Sequence, residues 1–84
     1  MSYSIEWKPT PLKFLIKLSK DIGLRIIKKL DEVKKEPFRY LEHFEGEDFY
    51  KLRIGEYRFL IDVDIKNKVL KIQVFDKRGR VYKR

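Results

Sequence analysis

The chain has 84 residues, 43% of them hydrophobic, with 21 Lys and Arg against 13 Asp and Glu, a formal charge of +8, no cysteine and one histidine. These totals exclude disulfides, zinc–thiolate sites and thiol nucleophiles, leave His43 alone for any histidine-built metal centre, and give a single small domain over residues 1–84 a field suited to a polyanion such as RNA or DNA, or to an acidic protein. The opening MSYSIEWKPTP lacks a signal peptide's apolar run, and nowhere do about 18 uncharged apolar residues occur together, so the expectation is a cytoplasmic protein that needs no cofactor and has no membrane partner.

Residues 3–8, YSIEWK, alternate like a first strand. Thr10 followed by Pro11 reads as an N-cap with proline at the first helical position, and Leu12, Leu15 and Ile16 mark the apolar stripe of a short helix. Ser19 offers the cap of a second helix, in which Ile22, Ile26, Ile27, Leu30 and Val33 recur at helical spacing until Pro37 closes it. Two helices so closely joined form an antiparallel hairpin that needs a sheet to cover its apolar stripe.

Region 36–48 is the least readable stretch, and His43 falls there in an expected loop without a chemical role. Three runs rich in β-branched and aromatic residues follow, Phe49–Ile54, Tyr57–Asp64 and Val69–Asp76, joined by Gly55-Glu56 and by Ile65–Lys68. The predicted fold class is α+β, with an N-terminal strand and a two-helix antiparallel hairpin packed on a curved antiparallel sheet of three further strands. A basic tail, residues 77–84, leaves the last strand.

If Gly55-Glu56 is a two-residue hairpin turn, Leu52 faces Phe59 and Tyr50 faces Ile61 on the core side. The same register sets Arg53 directly against Arg58 on the opposite face, with Lys51 against Leu60. Carried into the next hairpin it sets Ile61 against Ile72, Phe59 against Val74 and Asp62 against Lys71. The last pair is neutralised, whereas Arg53 and Arg58 have no such relief in this register. Like charges directly opposed in a sheet are destabilising, so this arrangement invites a missing anion such as a phosphate, which guanidinium groups match in a two-pronged geometry.

The tail KRGRVYKR carries five basic residues and one tyrosine beside that sheet. Strict alternation through Gln73 and Phe75 places Lys77 on the arginine face and Arg78 behind it. Arg78 reaches the arginines only if the strand ends or bulges near Asp76, a break that Gly79 permits. Glu45, Glu47 and Asp48 are acids near enough in sequence to supply a carboxylate base, but they read as a solvated turn; Tyr3 and Trp7 read as packing.

Residues 51–58, KLRIGEYR, resemble a turn found in the RelE/ParE superfamily of toxins from bacterial and archaeal toxin–antitoxin pairs, most closely in its RelE branch, and Lys77-Arg78 with Val81-Tyr82 resemble the family's C-terminal ending. Pro37 and Phe44-Glu45-Gly46 fit the family layout as well, so that the resemblance covers nearly the whole chain. It implies two helices on a curved antiparallel sheet and a metal-independent endoribonuclease that cuts mRNA in the ribosomal A site and so inhibits translation. Its implied partners are a cognate RelB-like antitoxin and mRNA on the ribosome.

Position by position, the resemblance makes Lys51 a candidate general base and Arg58 the holder of the scissile phosphate. Arg78 stabilises charge or protonates the leaving oxygen, Tyr82 orients the nucleotide, and Arg53 has a counterpart with a less settled role. Lys77, Arg80 and Lys83 would extend the RNA contact. Phe49 stands where some bacterial relatives have another lysine, and Lys77 where a histidine often precedes the arginine. The chemistry implied is attack of the RNA 2′-hydroxyl on the adjacent phosphodiester, a task of positioning and charge stabilisation. Two rival expectations share the fold: a ParE-like toxin that inhibits DNA gyrase by binding, and an inactive member that retains only antitoxin binding.

Overall fold

The computed structural model describes residues 2–43 and 48–77. Strand β1 (Ser4–Trp7) leads into helix α1 (Pro9–Lys17), whose N-cap is Lys8 rather than Thr10. Pro9 takes the first helical position, and Pro11 is accommodated two residues later because the N–H groups of a first turn have no intrahelical partner to lose. The N–H of Leu18 closes the helix on Leu15 O at 3.1 Å. Ser19 then caps helix α2 (Lys20–Val33) as expected, its Oγ accepting the N–H of Ile22 at 3.5 Å.

Pro37 does not simply end α2. That helix stops at Val33, and Pro37 opens a separate single turn, α3 (Pro37–Tyr40), followed by a two-residue strand β2 (Glu42–His43). His43 is therefore a strand residue, its ring edge-on to Tyr50 at 5.1 Å, and not part of a loop. Strands β3 (Tyr50–Ile54), β4 (Tyr57–Asp64) and β5 (Val69–Lys77) complete a five-stranded sheet in the order β1-β5-β4-β3-β2. The pairs β2–β3, β3–β4 and β4–β5 are antiparallel, and β1 joins β5 in parallel, so the complete sheet is mixed.

One face of the sheet carries the core. Leu52, Phe59, Ile61, Leu70 and Ile72 are buried there with Ile26, Leu30 and Val33 of α2, and Phe14 and Leu15 of α1 pack against them. Each fully buried side chain of this size contributes about 1.5–3 kcal/mol of burial free energy. Phe75 stacks on Phe59 with 4.4 Å between ring centroids, and Phe14 meets Phe75 edge-on at 4.8 Å. The α1 stripe differs from the expected one: Phe14 and Leu15 turn inward, whereas Ile16 is 72% exposed and Leu12 lies at the margin. Ile27 on α2 is similarly half exposed. Among the described residues, no helix is long and apolar enough to cross a membrane.

The first hairpin holds the expected register: Leu52 opposes Phe59, Tyr50 opposes Ile61, Lys51 opposes Leu60 and Arg53 opposes Arg58. Gly55 supplies the turn with φ 60°, a conformation that glycine adopts without a Cβ penalty. The second hairpin keeps Ile61 against Ile72 and Asp62 against Lys71, but the ladder shifts between Leu60 and Ile61. Val74 consequently lies opposite Leu60, and Phe59 opposes Phe75 instead of Val74. Gln73 is the inserted residue of a β-bulge, and the core explains it: without the shift Phe75 would point away from the apolar layer that it fills.

Candidate nucleic-acid interface

Opposite the helices, the sheet presents short rows of side chains running across its strands. One row is Glu6, Lys71 and Asp62, from β1, β5 and β4, with acid on both sides of the lysine. Glu6 also holds Lys8 at 2.9 Å, and the hydrogen bond and positive charge of that ammonium keep its carboxyl below the ordinary value. Further along the strands lie Val74, Leu60, Lys51 and Glu42, and then Asp76, Arg58 and Arg53. Positive charge is thus collected at the end of the face near the β3–β4 turn, while the opposite end is balanced or acidic.

Three of the residues expected to act together do come together. Lys51, Arg53 and Arg58 line a single cavity of about 430 Å³ with Tyr40, Glu42 and Leu52. Arg53 is exposed, and Lys51 and Arg58 are half-buried. A guanidinium pair and an ammonium on neighbouring strands are suited to a phosphodiester, because each donates charge-assisted hydrogen bonds and Arg does so from a planar fork.

The second hairpin changes the electrostatics that its simple register implied. Because of the bulge, Asp76 lies directly opposite Arg58, so the cation expected to lack relief has an acid across the ladder. Arg58 Nε is buried without a hydrogen-bond acceptor, although both Arg58 and Asp76 have other interactions. Lys77 is also displaced from its expected place: it lies opposite Tyr57, on the core side of the strand's alternation, not among the arginines. Arg78, Arg80, Tyr82 and Lys83 lie outside the described residues, as do Phe44, Glu45, Gly46 and Glu47.

Two lining residues escaped the sequence reading. Tyr40 closes α3 and Glu42 opens β2, both within the stretch whose pattern was least legible. Tyr40 is held by Lys29 of α2, whose Nζ stands 4.7 Å from the ring centroid. A cation over the face of a tyrosine fixes the ring by its quadrupole and brings a further positive charge behind the cavity. The sequence signal for Glu42 was only that an acid falls two residues after Tyr40, before a segment with no clear period. Its placement depends on pairing with Lys51.

Scans of family models and of curated proteins return no match. Solved structures do match. The archaeal RelE–RelB complex from Pyrococcus horikoshii contains a chain 30% identical to this one, aligned over 96% of this chain and 100% of that one with a TM-score of 0.76. The intact E. coli RelBE toxin–antitoxin complex matches at 25% identity over 94% and 100% of the two chains, TM-score 0.77. The RelBE2 toxin–antitoxin complex of Mycobacterium tuberculosis matches at 23% identity over 93% and 100%, TM-score 0.80. Agreement over the full length, at that identity with the archaeal protein, meets the resemblance carried by Lys51–Arg58, and the chain belongs to the RelE branch of the RelE/ParE toxins, the toxin components of RelBE-type toxin–antitoxin pairs.

Proposed function

We propose that this toxin is a ribosome-dependent endoribonuclease that cuts mRNA in the A site by attack of a 2′-hydroxyl on the adjacent phosphodiester, and that it is held inactive by a RelB-like antitoxin. The observation that carries this reading is the convergence of Lys51, Arg53 and Arg58 on one cavity. The RNA brings its own nucleophile, so the protein's work is to align the hydroxyl with the leaving oxygen and to stabilise the charge that grows on the phosphorane. Arg58 grips the scissile phosphate and Arg53 adds positive charge from the neighbouring strand. Lys51 stands beside them, at the position that the family resemblance makes a candidate general base.

Arg78 and Tyr82 complete the set, the first stabilising or protonating the leaving oxygen and the second orienting the nucleotide; Arg80 and Lys83 hold the flanking backbone, a role from which the core-side position of Lys77 removes it. Strict alternation would turn position 78 away from the arginines, and the bulge at Gln73 breaks that alternation before the strand ends. Asp76 compensates Arg58 while the site is empty, which lowers the repulsion in the free toxin without closing the cavity. The excess of cations also favours an antitoxin segment with acidic side chains over the same face, and the archaeal and bacterial relatives are solved with RelB bound.

The test is primer extension on mRNA from translating ribosomes, with the parent toxin and with Arg58→Ala and Arg78→Ala. Cuts at A-site codons that the parent makes and both variants lose by at least about a hundredfold support the reading. Absence of cuts by the parent defeats it, and inhibition of DNA gyrase by the same protein would put the binding-only toxin in its place.

A further inference from the structure

The cavity holds a carboxylate that the residue assignments above leave unused. Glu42 is the direct partner of Lys51 across β2 and β3, so the two side chains rise from the same face, and both line the cavity with Arg53 and Arg58. Several other acids of the described residues are held by cations or donors, Glu6 by Lys8, Glu32 by Lys29, Glu36 by Arg39 and Asp64 by Asn67, and none of these lines the cavity. Glu42 forms no ion pair or hydrogen bond among the described residues. It is an exposed acceptor at the edge of a cationic cavity.

Resting on the nuclease reading, we propose that Glu42 takes the proton from the attacking 2′-hydroxyl and that Lys51 acts beside it as a fixed positive charge. A free glutamate with its usual value near 4.3 is almost wholly ionised at neutral pH, whereas a lysine at about 10.4 is neutral only about once in a few thousand molecules. The adjoining pair therefore divides the work according to the chemistry of each group: the acid accepts, and the base stabilises negative charge.

The step balances without another reagent. The 2′-oxygen forms its bond to phosphorus as its proton passes to a Glu42 carboxylate oxygen. The P–O5′ bond breaks with its electron pair on O5′, which takes a proton from water, leaving a 2′,3′-cyclic phosphate and a 5′-hydroxyl. Glu42 returns its proton to solvent. The three cations face the non-bridging oxygens throughout and change no protonation state.

The experiment is single-turnover cleavage of mRNA on programmed ribosomes at pH 5 to 9, using the parent, Glu42→Gln, Glu42→Asp and Lys51→Arg, each first shown to keep the parent's circular dichroism spectrum and melting temperature. The expected parent rate is level from about pH 6 upward and falls in acid as a carboxylate protonates. Glu42→Gln loses about 10²–10⁴-fold, Glu42→Asp keeps the level profile at a lower rate, and Lys51→Arg, whatever its rate, keeps the parent's pH profile, since the group that accepts the proton is untouched. A parent that cuts while Glu42→Gln cuts equally well, or a parent rate that climbs about tenfold per pH unit up to pH 9, overturns the assignment to Glu42 but leaves the nuclease reading intact. A parent that does not cut removes both.

Discussion

The two hairpins of this sheet look alike in sequence and behave differently. The β3–β4 hairpin turns through two residues, Gly55-Glu56, and its register runs without interruption from Ile54–Tyr57 to Tyr50–Ile61. The β4–β5 hairpin turns through a longer loop, in which Asp64 accepts the Asn67 N–H at 3.0 Å and Lys68 adopts φ 56°, and its register shifts by one residue beyond Ile61. A tight turn dictates pairing for as far as the alternation holds, while a longer strand leaves room for a bulge that the core demands. The consequence reaches the site: the first hairpin opposes two arginines, and the second sets an acid against one of them.

The strongest way to break the contrast is at the point where both hairpins meet the core. Phe59 is fully buried, opposes Leu52 on one side and stacks on Phe75 on the other. Phe59→Ala is expected to cost about 3–5 kcal/mol, enough to unfold much of so small a domain, as measured by urea denaturation. A loss below about 1 kcal/mol would mean that the bulge does not serve this stack.

The two turns should respond in opposite directions to exchange of glycine for a side chain. Gly55→Ala forces an L-residue into the left-handed region, for an expected loss of about 1–2 kcal/mol even though nothing within 4 Å would meet the new Cβ. Lys68→Gly relieves the same strain in the second turn and is expected to stabilise by about 0.5–1 kcal/mol, net of glycine's greater freedom in the unfolded chain. Denaturation midpoints of the two variants check the signs.

Asp76→Asn tests the charge that the bulge delivers to Arg58. Loss of an opposite-charge cross-strand partner is expected to lower stability by about 0.2–1 kcal/mol, and the same variant should bind a single-stranded RNA oligonucleotide more tightly by fluorescence anisotropy. Equal affinity would show that Asp76 does not compete with the RNA for the arginine.

The smallest effect lies in the second turn. The side-chain hydrogen bond from Asn67, then its backbone N–H, hold the Asp64 carboxyl below its ordinary value. A carboxylate whose value is depressed by folding stabilises the native state at pH above its unfolded value, and that contribution disappears as pH falls through the folded one. Asn67→Ala should therefore melt below the parent at pH 6, and the gap should close as pH falls below the ordinary carboxylate range, as read by thermal scans across pH.

Local signals were most legible where a short-range rule decides. The cap at Ser19, the glycine turn at 55, the alternation of β3 and β4 and the KLRIGEYR segment each depend on neighbours a few residues apart. The start and stripe of the first helix are less legible, because Pro9 and Pro11 both satisfy the rule for a first turn and hydrophobicity alone does not distinguish Ile16 from Phe14.

By itself the amino-acid sequence determined the class of fold, the face on which Lys51, Arg53 and Arg58 stand and the family to which they point, since alternation and turn chemistry are properties of adjacent residues. Tertiary structure alone decided that Phe75 is drawn into the core through a bulge, that Asp76 then opposes Arg58, and that Tyr40 and Glu42 reach the same cavity. Those outcomes depend on which of two registers buries an aromatic ring and on the pairing of segments eight or more residues apart, and the free energy that selects them comes from contacts that no stretch of the chain contains alone.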